Sequence, residues 1–320
     1  MGRVILLVTS PRLPAGLLTA EAWDTVREHP VLAEHAGEQV DALRASGASV
    51  EIVGEPEVER ILAKADEHGT VVWLAGPAGD EEFARDLGQT LVRQPARASL
   101  EVVYGSWDPP GARLLDVVTV MDRLAAPDGD PWKREQTHQS LARYMLEEAY
   151  EAFDAIEAHD SDALREELGD LLLQVTLHAR MAEDGENPWS IDDLAGGLVD
   201  KLVRRNPHVF GDVEVADIDE IMANWERIKR EEKARGSVLD GIAVSQPALA
   251  LAAKILSRAK RSGLTLPVPG APATVESADD LAAALLVLVQ RAHELDLDPE
   301  AALRQAALAQ ADALRAIEKA

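Results

Sequence analysis

The 320-residue sequence contains no cysteine and few aromatic residues. Without cysteine no disulfide bond can form. Aromatic residues make up 4% of the chain, so we expect cores built mainly from aliphatic side chains. No apolar run in the sequence is long enough to span a membrane. These features predict a cytoplasmic protein with no membrane partner.

Basic residues are also scarce relative to acidic ones, which gives a formal net charge of −25 at pH 7. Nucleic acids and anionic membranes attract proteins through their phosphates, and here that attraction has the wrong sign. We therefore predict no nucleic-acid partner. An anionic small substrate would need metal ions and a local group of Lys or Arg. The length suggests two or three domains.

Residues 1–110 have the pattern of an α/β domain, in which β-rich runs alternate with helical patterns. The predicted strands are Val4–Thr9, Val50–Val53, Val71–Ala75 and Leu100–Tyr104, and the predicted helices include Ala20–Glu28, Glu38–Ser46 and Asp80–Val92. Neither GxGxxG nor GxxxxGK[ST] occurs in the loops, and Ser10–Gly16 is a proline-rich turn. We therefore predict a Rossmann-like sheet without a cofactor-binding residue.

Two segments of this domain, Gly16–Ala22 and Val72–Asp80, resemble parts of the tetrapyrrole methylases. Those enzymes carry a glycine-rich loop after the first strand, and this chain lacks it. The resemblance implies a degenerate domain with a structural or regulatory role. The turn Trp107–Gly111 marks its end, and the chain after it has a helical pattern.

Paired carboxylates are the most informative feature of the helical part. Glu148 and Glu151 are three residues apart on one predicted helix, and Glu167 and Asp170 are three apart on the next. This spacing puts each pair on one helical face, and an antiparallel hairpin would direct both pairs toward a common point. Acidic oxygens gathered among leucines favour Mg²⁺, which commonly bridges carboxylates to substrate phosphates. A solvated helix face is the alternative, above all for Glu147.

A basic cluster follows in Lys201, Arg204 and Arg205, which share one helical edge. A mixture of Lys and Arg suits the oxygens of a triphosphate, although salt bridges to the acidic surface are the alternative. Trp225 and Lys229 are four residues apart on a charged helix. Stacking on a base with a phosphate contact is one interpretation, and docking of the helix is the other.

Six segments between residues 114 and 235 resemble, in order, the MazG nucleoside triphosphate pyrophosphohydrolases, which carry an EExxE motif followed by ExxD. They are Met121–Leu124, Pro131–Thr137, Leu146–Glu151, Glu166–Leu172, Asp200–Phe210 and Asn224–Lys229. The resemblance implies an all-α domain in the style of a dimeric four-helix bundle. It also implies Mg²⁺-dependent hydrolysis of nucleoside triphosphates to monophosphate and pyrophosphate, with Mn²⁺ as a substitute metal and housecleaning of the nucleotide pool as the role.

The resemblance assigns a role to each candidate residue. Its metal ligands are Glu148, Glu151, Glu167 and Asp170; its catalytic residues are Glu147, Glu148 and Lys201; its substrate contacts are Lys201, Arg204, Arg205, Trp225 and Lys229. Lys133 departs from the family, which commonly has an acidic residue there. A non-catalytic helical module that binds nucleotides or Mg²⁺ is the alternative function.

The last part of the chain has the pattern of a degenerate copy of the acidic hairpin. Asp279–Ala283 occupies the place of Glu166–Asp170, with Ala283 where the first copy has aspartate, and no EExxE precedes it. We expect its apolar face to complete the bundle or to form a homodimer, because exposed apolar stripes must be covered. The predicted domains are 1–110, 111–236 and 237–320.

Overall fold

A computed structural model describes residues 2–76, 80–215, 217–232, 237–264, 270, 272 and 274–318, without the side chains of 226, 230, 231 and 314–318. The chain divides into two compact units, Met1–Gly196 and Gly197–Ala320. Residue 236, the predicted domain boundary, lies outside the described residues, as do residues 77–79 of the methylase-like segment. The three predicted domains therefore remain predictions.

The first unit begins with an alternation of strands and helices that forms a parallel five-stranded sheet of order β3-β2-β4-β1-β5. Its elements are β1 (Gly2–Val8), α1 (Ala20–Glu28), β2 (Val31–Ala33), α2 (Glu38–Ala45), β3 (Val50–Ile52), α3 (Val58–His68), β4 (Thr70–Leu74), α4 (Glu81–Arg93) and β5 (Ala98–Tyr104). This arrangement confirms the predicted α/β architecture.

Strand β1 is buried on both faces of the sheet, which explains its continuous apolar sequence. Val4 and Leu6 pack with buried residues of α3 and α4, and Ile5 and Leu7 pack with those of α1 and α2. Each pair of helices therefore covers one face. Trp73 of β4 is fully buried on the α3–α4 side, 5.2 Å between ring centroids from Phe83.

The rest of the described chain is helical, as the sequence predicts. Its helices are α5 (Arg113–Ala125), α6 (Pro131–Arg134), α7 (His138–Glu157), α8 (Ser161–Glu183), α9 (Ile191–Arg205), α10 (Pro207–Phe210), α11 (Ile218–Glu232), α12 (Ala248–Arg261), α13 (Ala278–Glu294) and α14 (Pro299–Glu318). None of the helices in the described part of the chain is long and apolar enough to cross a membrane.

Helices α7 and α8 pack against each other along a hairpin, and α5 packs against α8. Their shared core contains Met121 from α5, Leu141 from α7 and Leu177 from α8, all at least 96% buried. In the second unit, α12, α13 and α14 contact one another. The α7–α8 hairpin carries both acidic motifs of the sequence.

Candidate functional site

A capping box begins helix α7 and fixes its start. The hydroxyl of Thr137 accepts the N–H of Ser140 at 3.0 Å, and the Ser140 hydroxyl accepts the N–H of Thr137 at 2.9 Å. Further along, Ala152 and Ala155 are buried. Because residues four apart share a helical face, Glu148 and Glu151 lie one turn before these alanines on the packed side. The helix thus directs two carboxylates toward its neighbour.

A short turn returns the chain from α7 into α8. His159 adopts a left-handed conformation with φ of 54°, and Asp160 then caps α8 by accepting the N–H groups of Asp162 and Ala163 at 3.1 and 3.0 Å. The connection is only residues 158–160, so α8 folds back on α7 directly. This geometry brings Glu167 of α8 to the Glu148–Glu151 pair.

Glu148, Glu151 and Glu167 form a carboxylate cluster in which one oxygen from each side chain lies within 4.8 Å of the others. Glu148 and Glu167 are half-buried and Glu151 is exposed. Three carboxylates converging on one point could hold a hard divalent cation, which prefers oxygen ligands. Asp170 lies on α8 one turn beyond Glu167 and outside this group of three.

The cluster raises the pKa of two of its members. Burial raises the pKa of Glu148, and the negative charges of Asp170 and Glu151 raise it further. Burial likewise raises the pKa of Glu167, together with the charges of Glu151 and Asp170. Glu148 and Glu167 thus resist ionisation next to the other carboxylates, and a cation would relieve that repulsion. Asp170 therefore contributes to the field of the cluster.

Glu147 also lies on α7, next to Glu148, but its side chain is exposed. It is not among the three carboxylates that converge. Its predicted catalytic role therefore stays a prediction.

The predicted substrate-binding residues lie in the second unit, where Glu232 joins two of them. The Arg204 Nε donates to Glu232 Oε1 at 2.7 Å, and the Arg205 Nη2 donates to Glu232 Oε2 at 2.6 Å. These hydrogen bonds lower the pKa of Glu232 to about 2, and the bond from Arg205 has the larger effect. The side chains of Arg205 and Glu232 are only 13% and 12% exposed. Salt bridging, the alternative for this cluster, is thus present for both arginines.

Two cations lie near the ring of Trp225 in α11. The Arg205 guanidinium carbon is 5.4 Å from the centroid of the Trp225 ring, and the Lys229 ammonium nitrogen is 4.3 Å from it. Lys201 lies on α9 one turn before Arg205, with an exposed side chain. The structure thus brings Arg205, Trp225 and Lys229 together.

The sequence prediction did not include Glu232, although the spacing could have revealed it. Trp225, Lys229 and Glu232 follow each other at intervals of four and three residues, which place all three on one face of α11. Its two arginine partners are on α9 and become neighbours only in the folded chain.

A second unpredicted contact joins the two helices of the acidic hairpin. The Nδ1 atoms of His138 and His178 are 2.6 Å apart, and the two rings stack with centroids 4.9 Å apart. Burial, together with the neighbouring His138, lowers the pKa of His178. The pair links the start of α7 to α8.

Comparison with known proteins decides the family. Residues 136–210 match the MazG nucleotide pyrophosphohydrolase domain. A nucleoside triphosphate pyrophosphohydrolase of Mycolicibacterium smegmatis is 42% identical over 255 residues, which cover 77% of this chain and 73% of that protein. This chain belongs to the MazG family. The predicted family and its hydrolase class are therefore confirmed.

Two further relatives are similar over most of their own length. A 26.1 kDa protein of Streptomyces cacaoi, described as uncharacterized, is 50% identical over 244 residues, covering 76% of this chain and 96% of that protein. The nucleoside triphosphate pyrophosphohydrolase/pyrophosphatase MazG of Thermotoga maritima is 35% identical over 213 residues, covering 61% and 82%. The matched MazG domain contains the carboxylate cluster and the basic residues of α9, whereas Trp225 and Lys229 lie beyond it.

Proposed function

We propose that this MazG protein hydrolyses nucleoside triphosphates to the monophosphate and pyrophosphate with Mg²⁺ as its metal. The observation that carries the proposal is the convergence of Glu148, Glu151 and Glu167 within 4.8 Å. A cation would neutralise the repulsion between these side chains, and the raised pKa values of Glu148 and Glu167 are consistent with that requirement.

The donor set fits a hard cation, because every converging side chain offers carboxylate oxygen. Glu148, Glu151 and Glu167 would hold the ion, and Asp170 would complete the set. When bound, Mg²⁺ neutralises triphosphate charge and lowers the pKa of a coordinated water. Mn²⁺ prefers similar ligands and would substitute for it.

The carboxylates would also act on the water that attacks the triphosphate. Glu147 is exposed beside Glu148 and could accept a hydrogen bond from this water, orienting its lone pair toward phosphorus. The new bond forms between the water oxygen and phosphorus, and the bond between phosphorus and the bridging oxygen of the α and β phosphates breaks. The water proton then goes to a carboxylate or to solvent.

On the substrate side, we assign the triphosphate to the basic edge of α9. Lys201 is exposed and would supply a point charge, and Arg204 would supply a planar pair of donors. Arg205 is held by Glu232 and lies over Trp225, so it would keep the tryptophan ring in place. The ring would stack on the base, and Lys229 would contact a phosphate.

We further propose that the protein is a homodimer. Helix α13 carries Leu281, Leu285 and Leu288 at spacings of four and three residues, and all three are exposed. A stripe of this kind is stabilised when it is covered. Light scattering after gel filtration should therefore give twice the 34.5 kDa chain mass, and Leu285→Glu should reduce it to one chain.

The cellular role we propose is housecleaning of the nucleotide pool. This role requires tolerance of several bases, and base stacking on Trp225 would provide it because every base has an apolar face. A panel that includes ribo-, deoxyribo- and oxidised nucleoside triphosphates would rank the substrates.

Product analysis tests the proposed reaction. Purified protein is incubated with a triphosphate panel, with and without Mg²⁺, and monophosphate, diphosphate, pyrophosphate and phosphate are resolved. Monophosphate and pyrophosphate formed only with metal would support the proposal. Diphosphate and free phosphate would contradict the assigned bond. No turnover while Mg²⁺ still binds would favour the non-catalytic binding module instead.

A further inference from the structure

A cavity of about 430 Å³ lies in the α/β part of the first unit, where β1, β2 and β4 end. Its walls come from the segments that follow these strands, residues 9–15, 33–40 and 74–76. The volume falls within the roughly 300–1,000 Å³ typical of small-molecule sites. All of the lining residues precede the helical region that carries the carboxylate cluster.

The cavity forms where neighbouring strands send the chain to opposite faces of the sheet. Strand β4 lies between β2 and β1. The chain leaves β1 and β2 toward α1 and α2 on one face, and leaves β4 toward α4 on the other. Loops that diverge in this way open a crevice at the carboxyl edge of a parallel sheet, and open α/β sheets bind their ligands in such crevices.

The wall of the cavity is mainly aliphatic, with one unsatisfied polar donor. Ala33, Val40 and Leu74 are among its lining residues. Gln39 also lines it, and its Oε1 accepts the N–H of Gly16 at 3.0 Å, which fixes the orientation of the amide. The Nε2 atom of Gln39 is buried without a hydrogen-bond partner. A flat apolar group with an acceptor atom, such as a nucleobase, would satisfy this donor.

A carboxylate lies in the wall of the cavity where β2 ends. Glu34 follows β2 directly and lines the cavity, with its Oε1 3.1 Å from His35 Nε2 and its side chain 28% exposed. An acidic residue near the end of the second strand accepts hydrogen bonds from the ribose hydroxyls in Rossmann-type sites. The carboxylate thus matches a vicinal diol.

The charges around the cavity disfavour phosphate. Its described lining contains Glu34 and Glu38 but neither lysine nor arginine. Arg12, from the loop after β1, lies outside the lining and pairs with Asp108 and Asp116. The loop also lacks the glycines that bring backbone N–H groups to a diphosphate. A ligand without phosphate is therefore favoured.

We propose that this cavity binds a neutral nucleoside, with the ribose diol on Glu34 and an acceptor atom of the base on the Gln39 amide. The site is separate from the proposed hydrolytic centre and does not depend on it. It gives the α/β domain a ligand of its own, an unphosphorylated nucleoside, while the triphosphate substrates go to the helical part.

Calorimetric titration of the full-length protein with adenosine, guanosine, cytidine and uridine tests the proposal. We expect at least one nucleoside to bind at one site per chain. Its 2′-deoxy form and the Glu34→Gln variant should each bind about tenfold or more weakly, because each removes a hydrogen bond to a charged group. The two losses should not add, since both remove the same contact.

Two control variants test whether the nucleoside binds in this cavity. Glu28→Gln makes the same change at an exposed residue at the end of α1, outside the cavity, and should bind the nucleoside like wild type. Glu148→Gln should also leave nucleoside binding unchanged. The proposal is overturned if no nucleoside binds at millimolar concentration, if Glu34→Gln binds like wild type, or if Glu148→Gln abolishes the binding.

Discussion

The α7–α8 hairpin and helix α13 have similar acidic sequence patterns, but their carboxylates have opposite surroundings. Glu167 is the seventh residue of α8, whereas Asp280 lies in the first turn of α13. In α8, Glu167 lies among other carboxylates, and burial and those charges raise its pKa. At the start of α13, Asp280 accepts hydrogen bonds from the Ser277 hydroxyl at 2.7 Å and the Glu276 N–H at 3.3 Å, which lower its pKa. One acid is destabilised by its surroundings and the other is stabilised.

This difference separates a binding acid from a structural one. A carboxylate in the first turn of a helix that already accepts hydrogen bonds is satisfied by those donors, so a cation has little to add. A carboxylate surrounded by like charges gains stability when a cation arrives. No EExxE motif precedes α13 and residue 283 is alanine, so the sequence around Asp280 lacks the second pair of carboxylates that the α7–α8 hairpin has.

The largest expected effect comes from neutralising the centre of the carboxylate cluster. Glu148→Gln should lower pyrophosphate release by about 100-fold or more, because it removes a metal ligand and the charge that balances the cation. Asp280→Asn, the matched change in α13, should leave the rate unchanged. Rates are measured at saturating Mg²⁺, and circular dichroism verifies that both variants fold. Equal losses of activity in the two variants would contradict the comparison.

The next effect concerns phosphate binding by the basic edge of α9. Lys201→Ala should raise KM by about tenfold, the usual size for the loss of one hydrogen bond to a charged group. Lys254→Ala removes an exposed lysine from α12 and serves as the control. Initial rates over a range of triphosphate concentrations measure both. A KM that does not change in Lys201→Ala would remove this residue from the substrate site.

A third effect is on stability alone. Ser277 caps α13 by accepting the N–H of Asp280 at 3.1 Å. Ser277→Ala should lower the free energy of unfolding by about 1 kcal/mol, the typical value of an N-cap, without changing the rate of hydrolysis. Urea unfolding provides the measurement, and Ser277→Asn, which retains a capping side chain, should recover most of the loss. A Ser277→Ala variant as stable as wild type would show that the cap contributes nothing.

The smallest effect is on the stability of the metal-free protein. Neutralising Glu167 and neutralising Asp280 should shift the melting temperature in opposite directions. The pKa of Glu167 is raised above 4.5, so its ionisation opposes folding at neutral pH and this cost disappears as the pH falls below 4.5. The pKa of Asp280 is lowered below 3.8, so its stabilisation is present above 3.8 and is lost as the pH falls through the lowered value.

At pH 7 without metal, Glu167→Gln should therefore slightly raise the melting temperature, and Asp280→Asn should slightly lower it. The gain in Glu167→Gln should vanish when the pH approaches 4.5. Thermal unfolding in the presence of a chelator, with both variants measured beside wild type, is sufficient. Shifts of the same sign at pH 7 would mean that the two acids have similar surroundings after all.

Helices and strands with a clear local sequence pattern were predicted well. The predicted helix Ala20–Glu28 has the same bounds as α1. Strand β2 was not predicted, because Val31–Ala33 is too short to show a period and depends on its pairing with β3 and β4. Nonlocal hydrogen bonds thus define an element that three residues alone do not.

The same limit applies to the site. The three-residue spacing of Glu148 and Glu151 predicted a shared face, and the hairpin brings Glu167 to them. The partnership of Arg205 with Glu232 joins a side chain of α9 to one of α11, and no spacing within one helix reveals such a contact. The nucleoside cavity depends on three loops that meet only after the sheet has formed.

Metal binding tests the central claim most directly. Mn²⁺, observed by electron paramagnetic resonance as the loss of its free-ion signal, is titrated into wild type, Glu151→Gln and Asp280→Asn in the absence of nucleotide. We predict that wild type and Asp280→Asn bind the ion alike and that Glu151→Gln binds it at least about tenfold more weakly. Full binding by Glu151→Gln, or loss of binding in Asp280→Asn, would contradict the assignment of the metal centre to the α7–α8 hairpin.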